Sequence, residues 1–388
     1  MNRALSSSSN GPGRWAAVCS AAALLVVLRL LSGCSQPPNE PAAPKPPDRE
    51  ISVRDTVVIP QDATAFVTPE GHDQPVVTPE VSESWTKDYR QRHFAPWHRT
   101  VPEYSVEDAG LGIARLAGEA VYGENTQRRG GEWFSAMRSL MGLESFPNTR
   151  RYAITTAHTS LRLLPTIHPA FRGSELPGEG FPFDRLQESM LWAGTPLFIT
   201  HTSTDGAWVL AETPFAMGWI AVSDVAFADR SFMTAYEAPR LVAVLQEDVS
   251  ISDSKGVFRF TGGIGLVLPH VSPEEGEGGR LFIRVLAPAA DDDRKAVCRR
   301  ARIFADDAAL MPWSLTPDHA AALVNRLMGR PYGWGGFYGN RDCSSLLRDL
   351  FVPFGLWLRR SSRAQARQGD VVSLAGLRPE EKERLIRE

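Results

Sequence analysis

Gly329–Leu350 reads GRPYGWGGFYGNRDCSSLLRDL: a glycine able to end one helix, a loop dense in glycine and aromatic residues, and a cysteine at the threshold of a second helix. Asp342 is placed to cap that second helix. Leu346, Leu347, Leu350 and Phe351 fall where its inner face should lie. A thiol in the first turn, as at Cys343, faces unpaired backbone N–H groups and the positive end of the helix dipole, which favours the thiolate. Thiolate is the nucleophilic form, so the pattern is a sensible way to build a reactive cysteine. A buried structural cysteine beside an N-cap would leave the same local signature, and the local physics alone leaves both open.

PYGWGG followed by DCSSLL resembles the signature of the NlpC/P60 cysteine peptidases, which cut peptidoglycan stem peptides on a papain-like fold. Pro331, Tyr332, Trp334, Gly335, Gly336, Asp342, Cys343 and Ser344 stand in the family's order and spacing. The resemblance implies that Cys343 is the nucleophile, its backbone N–H an oxyanion donor, and the Tyr332 hydroxyl a neighbour of the same oxygen. It also implies that Asp342 and Ser344 receive the free amine of an N-terminal L-Ala, and that the bond cut is γ-D-glutamyl–diaminopimelate. An ammonium wants a partly desolvated carboxylate, and such a charge-assisted bond is worth ~1.5–3 kcal/mol. Capping is the plainer role for Asp342, and one carboxylate can do both. In relatives with SH3 barrels the first barrel walls the cleft; Phe215 and Trp219 are aromatics that could line such a wall. Neither cofactor nor metal is implied.

One feature departs from the family. Its catalytic histidine lies downstream of the cysteine, on a strand, whereas the last of the eight histidines here is His319, at the start of the preceding helix. The sequence therefore reads as a cell-wall hydrolase whose catalytic domain is C-terminally incomplete, with an alkylatable Cys343 and little turnover expected. A second reading is a catalytically inactive wall-binding lipoprotein whose barrels hold muropeptide. A third, another papain-like thiol enzyme such as an amidase or acyltransferase, fits the motif least.

Working outward, Thr316 caps and Pro317 opens the preceding helix, whose apolar side is Ala321, Leu323, Val324, Leu327 and Met328. After the Cys343 helix, Pro353 and Gly355 force a break, and WLRRSSRAQARQG resembles a family helix–loop stretch with Arg359 where a proline is common. Upstream, residues 149–229 have strand character. They include a hairpin turning at Thr204-Asp205-Gly206 and a closing GWIAVSDVAF. Residues 230–290 repeat the plan around a Lys255-Gly256 turn. Both segments resemble bacterial SH3 barrels. The Asp291–Asp293 run with Arg294, Lys295, Arg299 and Arg300 reads as a solvated linker, since calcium would need more oxygen ligands. His158, His168 and His201 match no zinc spacing and read as surface or loop residues.

Residues 81–148 form a helical accessory segment. Trp85, Tyr89, Phe94 and Trp97 recur at helical intervals up to Pro96, Ser105 with Asp108 opens Ser105–Ala120, and Trp133–Met141 is a third amphipathic candidate. The expected architecture is thus multidomain: N-terminal helical segment, two SH3-like β-barrels and a partial α+β papain-like NlpC/P60 domain over residues 291–388.

Composition sets the class and the N-terminus the address. Of 388 residues, 43% are hydrophobic and 22% charged, which supports several folded domains. A net charge of −3 argues against a nucleic-acid binder, whose affinity needs a dominant basic face. Cys298 and Cys343 are too few for a disulfide framework, and a bridge between them would consume the nucleophile. Residues 1–34 read as a lipoprotein signal peptide: Arg3 and Arg14, an apolar Trp15–Leu28, then Leu31-Ser32-Gly33-Cys34, which resembles a lipobox. Acylation of Cys34 anchors firmly because each buried CH₂ contributes ~0.8 kcal/mol. By the same resemblance, Ser35 after the cysteine, in place of Asp, implies sorting to the outer membrane, facing the periplasm. Arg29 in a spanning helix would cost roughly 2.5–3.5 kcal/mol. Residues 35–80 begin with a proline-rich tether of ~3.1 Å per residue and continue as extended chain. The expected partners are muropeptides and, through the lipid, a membrane. Cys34→Ala should leave an unacylated precursor; metabolic labelling with a fatty acid checks this, and equal label in variant and parent would overturn it.

Overall fold

Thr78 and Pro79 start the first long helix, α1 (Pro79–His98), where proline gives up no helical hydrogen bond. Tyr89, Phe94 and Trp97 share one side of it and are buried. The helix runs past Pro96, contrary to expectation, because a lost N–H bond in the last turn is cheap and Trp97 Nε1 donates to Ala153 O at 2.9 Å. The computed structural model describes residues 57–271, 275–277 and 280–387. The signal peptide, Cys34 and the proline-rich tether lie outside the described residues. From Pro60 onward the chain forms one compact unit. Residues 60–78 lie across the last domain as an irregular strap, with a 3-10 turn at Ala63–Phe66 and a second turn at residues 70–73 in place of the extended chain expected. Its anchors are Ala63 N to Asn325 Oδ1 at 2.7 Å and Val76 N to Leu315 O at 2.8 Å.

The expected helix over Ser105–Ala120 is two short ones, α2 (Val106–Ala109) and α3 (Leu111–Leu116), divided at Gly110. Ser105 and Asp108 form the reciprocal capping box. Helix α4 (Gly131–Met141) ends on left-handed Gly142. These helices cover one face of the first barrel, where Ile113, Leu116 and Met141 pack with Leu164, Leu186 and Trp219.

That barrel is one antiparallel sheet of β1 (Arg151–Thr155), β2 (Thr159–Arg162), β3 (Gln187–Leu191), β4 (Pro196–Thr202), β5 (Trp208–Glu212), β6 (Met217–Ala221) and β7 (Val225–Phe227), ordered β3-β2-β6-β5-β4-β1-β7. The β4–β5 hairpin turns at the Asp205-Gly206 pair, and Gly206 takes φ of 72° there. Helix α5 (Arg230–Tyr236) leads into the second barrel: β8 (Leu241–Val244), β9 (Val249–Ser252), β10 (Phe258–Gly262), β11 (Val267–Pro269), β12 (Glu275–Glu277), β13 (Arg280–Ala290), β14 (Ala296–Phe304) and β15 (Ala308–Leu310).

The boundary expected at residue 290 is corrected here. Asp291–Lys295 is no linker but the turn of the longest hairpin, with β13 and β14 paired from Ala290↔Ala296 to Phe282↔Phe304. Asp291 Oδ1 accepts from the N–H groups of Asp293 and Lys295, so the acidic run serves the reversal. Ala301, Ile303 and Ala308 then complete the barrel's interior with Val244, Ile251 and Leu268.

The last domain begins with α6 (Pro317–Leu327), capped by Thr316 as the sequence predicts. It continues through the Trp334–Gly339 loop to α7 (Cys343–Phe351), a short α8 (Ser362–Gln365) and α9 (Pro379–Arg387). The expected inner face of α7 is wrong by half. Leu346 and Leu347 are 39% and 44% exposed, while Ser344 and Asp349 are the buried side chains. Polar contacts set this roll. Arg341 donates to Asp349 Oδ2 at 2.8 Å, to both oxygens of Glu247 at 2.9 and 3.0 Å, and to Ile264 O at 2.7 Å. Arg348 lies over the Phe215 ring at 3.9 Å.

A single apolar cluster joins all parts: Tyr89 and Trp97 of α1, Ile154 of the first barrel, Tyr236 of α5, Leu241 and Val267 of the second barrel, and Val352 and Trp357 of the last domain. Because Glu247 and Arg341 are largely shielded from water, removing one charge strands the other. Glu247→Gln should cost about 3 kcal/mol of stability. Chemical denaturation of the full chain checks this, and an unchanged midpoint would refute it.

Candidate active site

Asp342 caps α7 by accepting from Ser345 N at 2.9 Å, and the Ser345 hydroxyl completes a capping box by accepting from Asp342 N. Cys343 therefore occupies the first helical position, exposed and free, with Sγ 3.0 Å from Ser362 Oγ. It opens into a cleft of about 410 Å³. His158 and Trp192 of the first barrel form one wall. Glu247 and the Thr261–Gly263 turn of the second barrel form another, and Tyr332, Tyr338, Arg341 and Asp342 border the thiol. The glycine pair of the motif explains the close fit. Gly335 has φ of 60°, and a Cβ there would lie 2.5 Å from Gln187 O of β3. Only glycine lets this loop lie flat against the barrel.

The Asp342 carboxylate is already engaged. Arg360 reaches it through Nη2 to Oδ2 at 2.6 Å and Nη1 to Oδ1 at 3.0 Å, and further donors are Ser344 Oγ at 3.1 Å and Gly335 N at 3.2 Å. Burial pushes the Asp342 carboxyl up, but hydrogen bonding and charge from Arg360 outweigh it and hold the group below the usual carboxylate range. Arg360 also donates to Ser189 Oγ of β3 at 3.0 Å and contacts Ser344 Oγ. With Arg360 in place, the carboxylate has no acceptor position left for a substrate ammonium. Ser344 is buried behind the helix start.

Tyr332 is half exposed at the cleft mouth. Burial and the neighbouring Asp342 and Cys343 raise its phenol, so it stays a hydrogen-bond donor. The structure thus brings Tyr332, Asp342 and Cys343 to one cleft and sets Ser344 just beneath it. Of the two aromatics named for a wall, Phe215 packs on Arg348 behind the helix, whereas Trp219 is fully buried in the first barrel and lines nothing.

Sequence reasoning missed Arg360, Ser362, Arg341 and His158. Arg360 and Ser362 lie in the RRSSRAQ stretch, and two charged or hydroxyl residues soon after a nucleophile's helix were a usable signal. His158, read as a surface or loop residue, stacks on Trp192 at 4.2 Å, and burial with Arg341 nearby lowers its imidazole to about 4. It is neutral at neutral pH. His168 pairs with Glu124 at 2.6 Å, and His201 Nε2 meets Met141 O at 2.8 Å. His319 stacks on Trp313 with Nδ1 2.7 Å from Ser314 O, away from the thiol. Among the described residues, no three His, Cys, Asp or Glu side chains are arranged to hold a metal.

A helical segment, two small barrels and a helix-borne cysteine in a cleft that both barrels border make a multidomain protein with the layout of a thiol enzyme. Comparison with known families agrees segment by segment. The NLPC_P60 N-terminal stabilising domain matches residues 23–146, an SH3 domain of SH3b1 type 169–221, an SH3 domain of SH3b2 type 229–274, and the NlpC/P60 family 329–379. A search of curated proteins found no match. Among solved structures, an NlpC/P60 endopeptidase from Photobacterium damselae subsp. piscicida is similar, with a TM-score of 0.69 and 27% identity, covering 79% of this chain and 70% of that one. The chain thus carries an NlpC/P60 domain, preceded by the N-terminal stabilising domain of such proteins and two SH3 domains. Family and neighbour support a peptidoglycan hydrolase or peptidase.

Cys343 should be alkylated by iodoacetamide at least tenfold faster than Cys298, which is half-buried and whose thiol burial pushes up to about 11. Peptide mapping after timed labelling measures the two rates; equal rates, or a label confined to Cys298, would refute the assignment.

Proposed function

We propose that this chain is a cysteine endopeptidase of the cell envelope that cuts the γ-D-glutamyl–diaminopimelate bond of peptidoglycan stem peptides. The observation that carries this is Cys343 at the first position of α7, exposed in a cleft that two SH3 domains wall. In this reading Cys343 attacks the scissile carbonyl, its own N–H and the Tyr332 phenol face the developing oxyanion, and the stem peptide lies between the barrels. The lipobox at Cys34 supports a lipid anchor in the outer membrane, facing the periplasm. One part of the expectation loses support: a preference for a free N-terminal L-Ala needs the Asp342 carboxylate, and Arg360 occupies it. Asp342 is better assigned to capping α7 and fixing Arg360.

One observation favours the second reading, a wall-binding lipoprotein with little turnover. Among the described residues the histidine lining its cleft, His158, is held neutral by burial and by Arg341 beside it. An imidazolium that stabilises the thiolate and protonates the leaving amine contributes ~10²–10⁴-fold. Incubating the chain with L-Ala-γ-D-Glu-diaminopimelate and following release of diaminopimelate separates the two. Turnover lost in Cys343→Ala supports the peptidase. Muropeptide binding without turnover supports the wall-binding reading, and neither binding nor turnover removes both.

A further inference from the structure

Arg330 and Asp248 meet in the Cys343 cleft, and they come from different domains. Arg330 follows Gly329 after α6 and stands two residues before Tyr332; Asp248 lies in the β8–β9 connection of the second barrel. Arg330 Nη2 donates to Asp248 Oδ2 at 2.5 Å, and the two side chains are 43% and 71% exposed. The other ion pairs bordering the cleft, Glu247–Arg341 and Asp342–Arg360, are largely shielded from water and hold the parts together. Neighbouring acids of one connection are thus used differently: Glu247 is turned into the structure and Asp248 into the cleft.

Stability does not account for the open pair. Water screens an exposed ion pair, and two long side chains give up freedom to make it, so its net contribution is small. Nor does the chain reversal require an acid. Asp248 has φ of 60°, in the left-handed region that glycine occupies with least strain and asparagine as readily as aspartate. What aspartate adds at this position is a negative charge presented beside Arg330. The result is one acceptor and one planar donor, side by side, accessible from the cleft that holds the thiol.

We propose that Arg330 and Asp248 read the third residue of the stem peptide, selecting a side chain that ends in a free amino-acid head group. The proposal rests on the hydrolase reading above and names what its cleft discriminates. Diaminopimelate ends in a carbon that bears both an ammonium and a carboxylate, whereas lysine bears the ammonium alone. A guanidinium forks onto a carboxylate and an aspartate accepts from an ammonium, both through charge-assisted bonds. Docking the head group therefore exchanges one exposed ion pair for two. Pro331 and the 39% exposed Leu346 line the same cleft and offer apolar surface to the methylenes that carry the head group. Lysine would satisfy Asp248 but draw it away from Arg330 without giving Arg330 a new partner, and that difference is the source of selectivity. The α-carboxylate of the γ-linked D-Glu is a rival ligand for Arg330, but it brings no cation for Asp248 and so accounts for half of the pair.

The test is isothermal titration of the full chain, carrying Cys343→Ala so that no ligand is consumed. The ligands are L-Ala-γ-D-Glu-diaminopimelate, the same peptide with lysine in third place, and two amidated forms of the first. One amide blocks the distal carboxyl of diaminopimelate and the other the α-carboxyl of D-Glu. We expect the diaminopimelate peptide to bind at least tenfold tighter than the lysine peptide and the distal amide. Arg330→Gln should weaken the diaminopimelate peptide at least tenfold without weakening the lysine peptide, whereas Asp248→Asn should weaken both. Melting curves of the variants check that each is folded. Equal affinity for diaminopimelate and lysine peptides, an Arg330→Gln effect shared by all ligands, or a loss that follows the D-Glu amide and not the distal amide overturns the proposal. Cleavage by the parent chain separates this from the hydrolase reading. Selective binding without cleavage leaves the head-group site standing and removes the hydrolase; cleavage of diaminopimelate and lysine peptides alike removes the selectivity alone; no binding of any peptide removes both.

Discussion

Arg341 is the side chain on which the site's geometry depends. Its guanidinium bridges Glu247 of the second barrel and Asp349 of α7, and it lies 5.8 Å from the Trp192 ring of the first barrel. Burial opposes its charge, but the two carboxylates outweigh burial and raise it further, so it stays a cation. Burial likewise pushes the Asp349 carboxyl up, and Arg341 pulls it back. Such a network is costly to break and adds little net stability when complete; what it supplies is one arrangement of parts. Turning Asp349 inward fixes the roll of α7. That roll puts Leu346 and Leu347 outside and leaves Cys343 at the cleft rather than against the barrel.

A second ion pair, built on the very next residue, closes the opposite side. Asp342 holds Arg360, and Arg360 holds Ser189 of β3, so the segment after α7 is tied across the thiol to the first barrel. Gln365 adds a donor to Ser344 O at 2.8 Å, which keeps α8 against the start of α7. Ser362 is thereby set at the sulfur. Consecutive residues thus serve three directions: Arg341 toward the second barrel, Asp342 toward the first, and Cys343 toward solvent.

The parts legible in sequence were those that local chemistry dictates. Thr316 with Pro317, Ser105 with Asp108, Asp342 before Cys343 and the Asp205-Gly206 turn each satisfy backbone groups within a few residues, and each stands where the sequence put it. The motif itself located the cleft. Long-range electrostatics was not legible. Nothing in SSLLRDLF shows that Asp349 outcompetes two leucines for the interior, because its partner Arg341 draws on Glu247, a residue of the second barrel. The Asp291–Asp293 run misled for a related reason. Three acids in a row read as solvated chain, yet one of them was accepting the N–H groups of a hairpin reversal, which only the pairing of β13 with β14 makes visible.

The proton chemistry of the cleft follows from what each neighbour of Cys343 can carry. Tyr332, its phenol raised by burial and by nearby negative charge, holds its proton and can donate to an oxyanion but not act as a base. Ser362, 3.0 Å from the sulfur, can exchange a hydrogen bond with thiol or thiolate but has no charge to offer. His158, stacked on Trp192, is neutral because burial disfavours its charged form and the neighbouring Arg341 cation disfavours it further. Arg330, Arg341 and Arg360 are charged donors nearby, and all three are engaged by carboxylates. The described residues therefore equip the cleft to bind a peptide, orient its carbonyl and stabilise an oxyanion. The costly step that remains is delivering a proton to the leaving amine, and the raised phenol of Tyr332 suits it to hydrogen bonding an oxyanion rather than to that transfer.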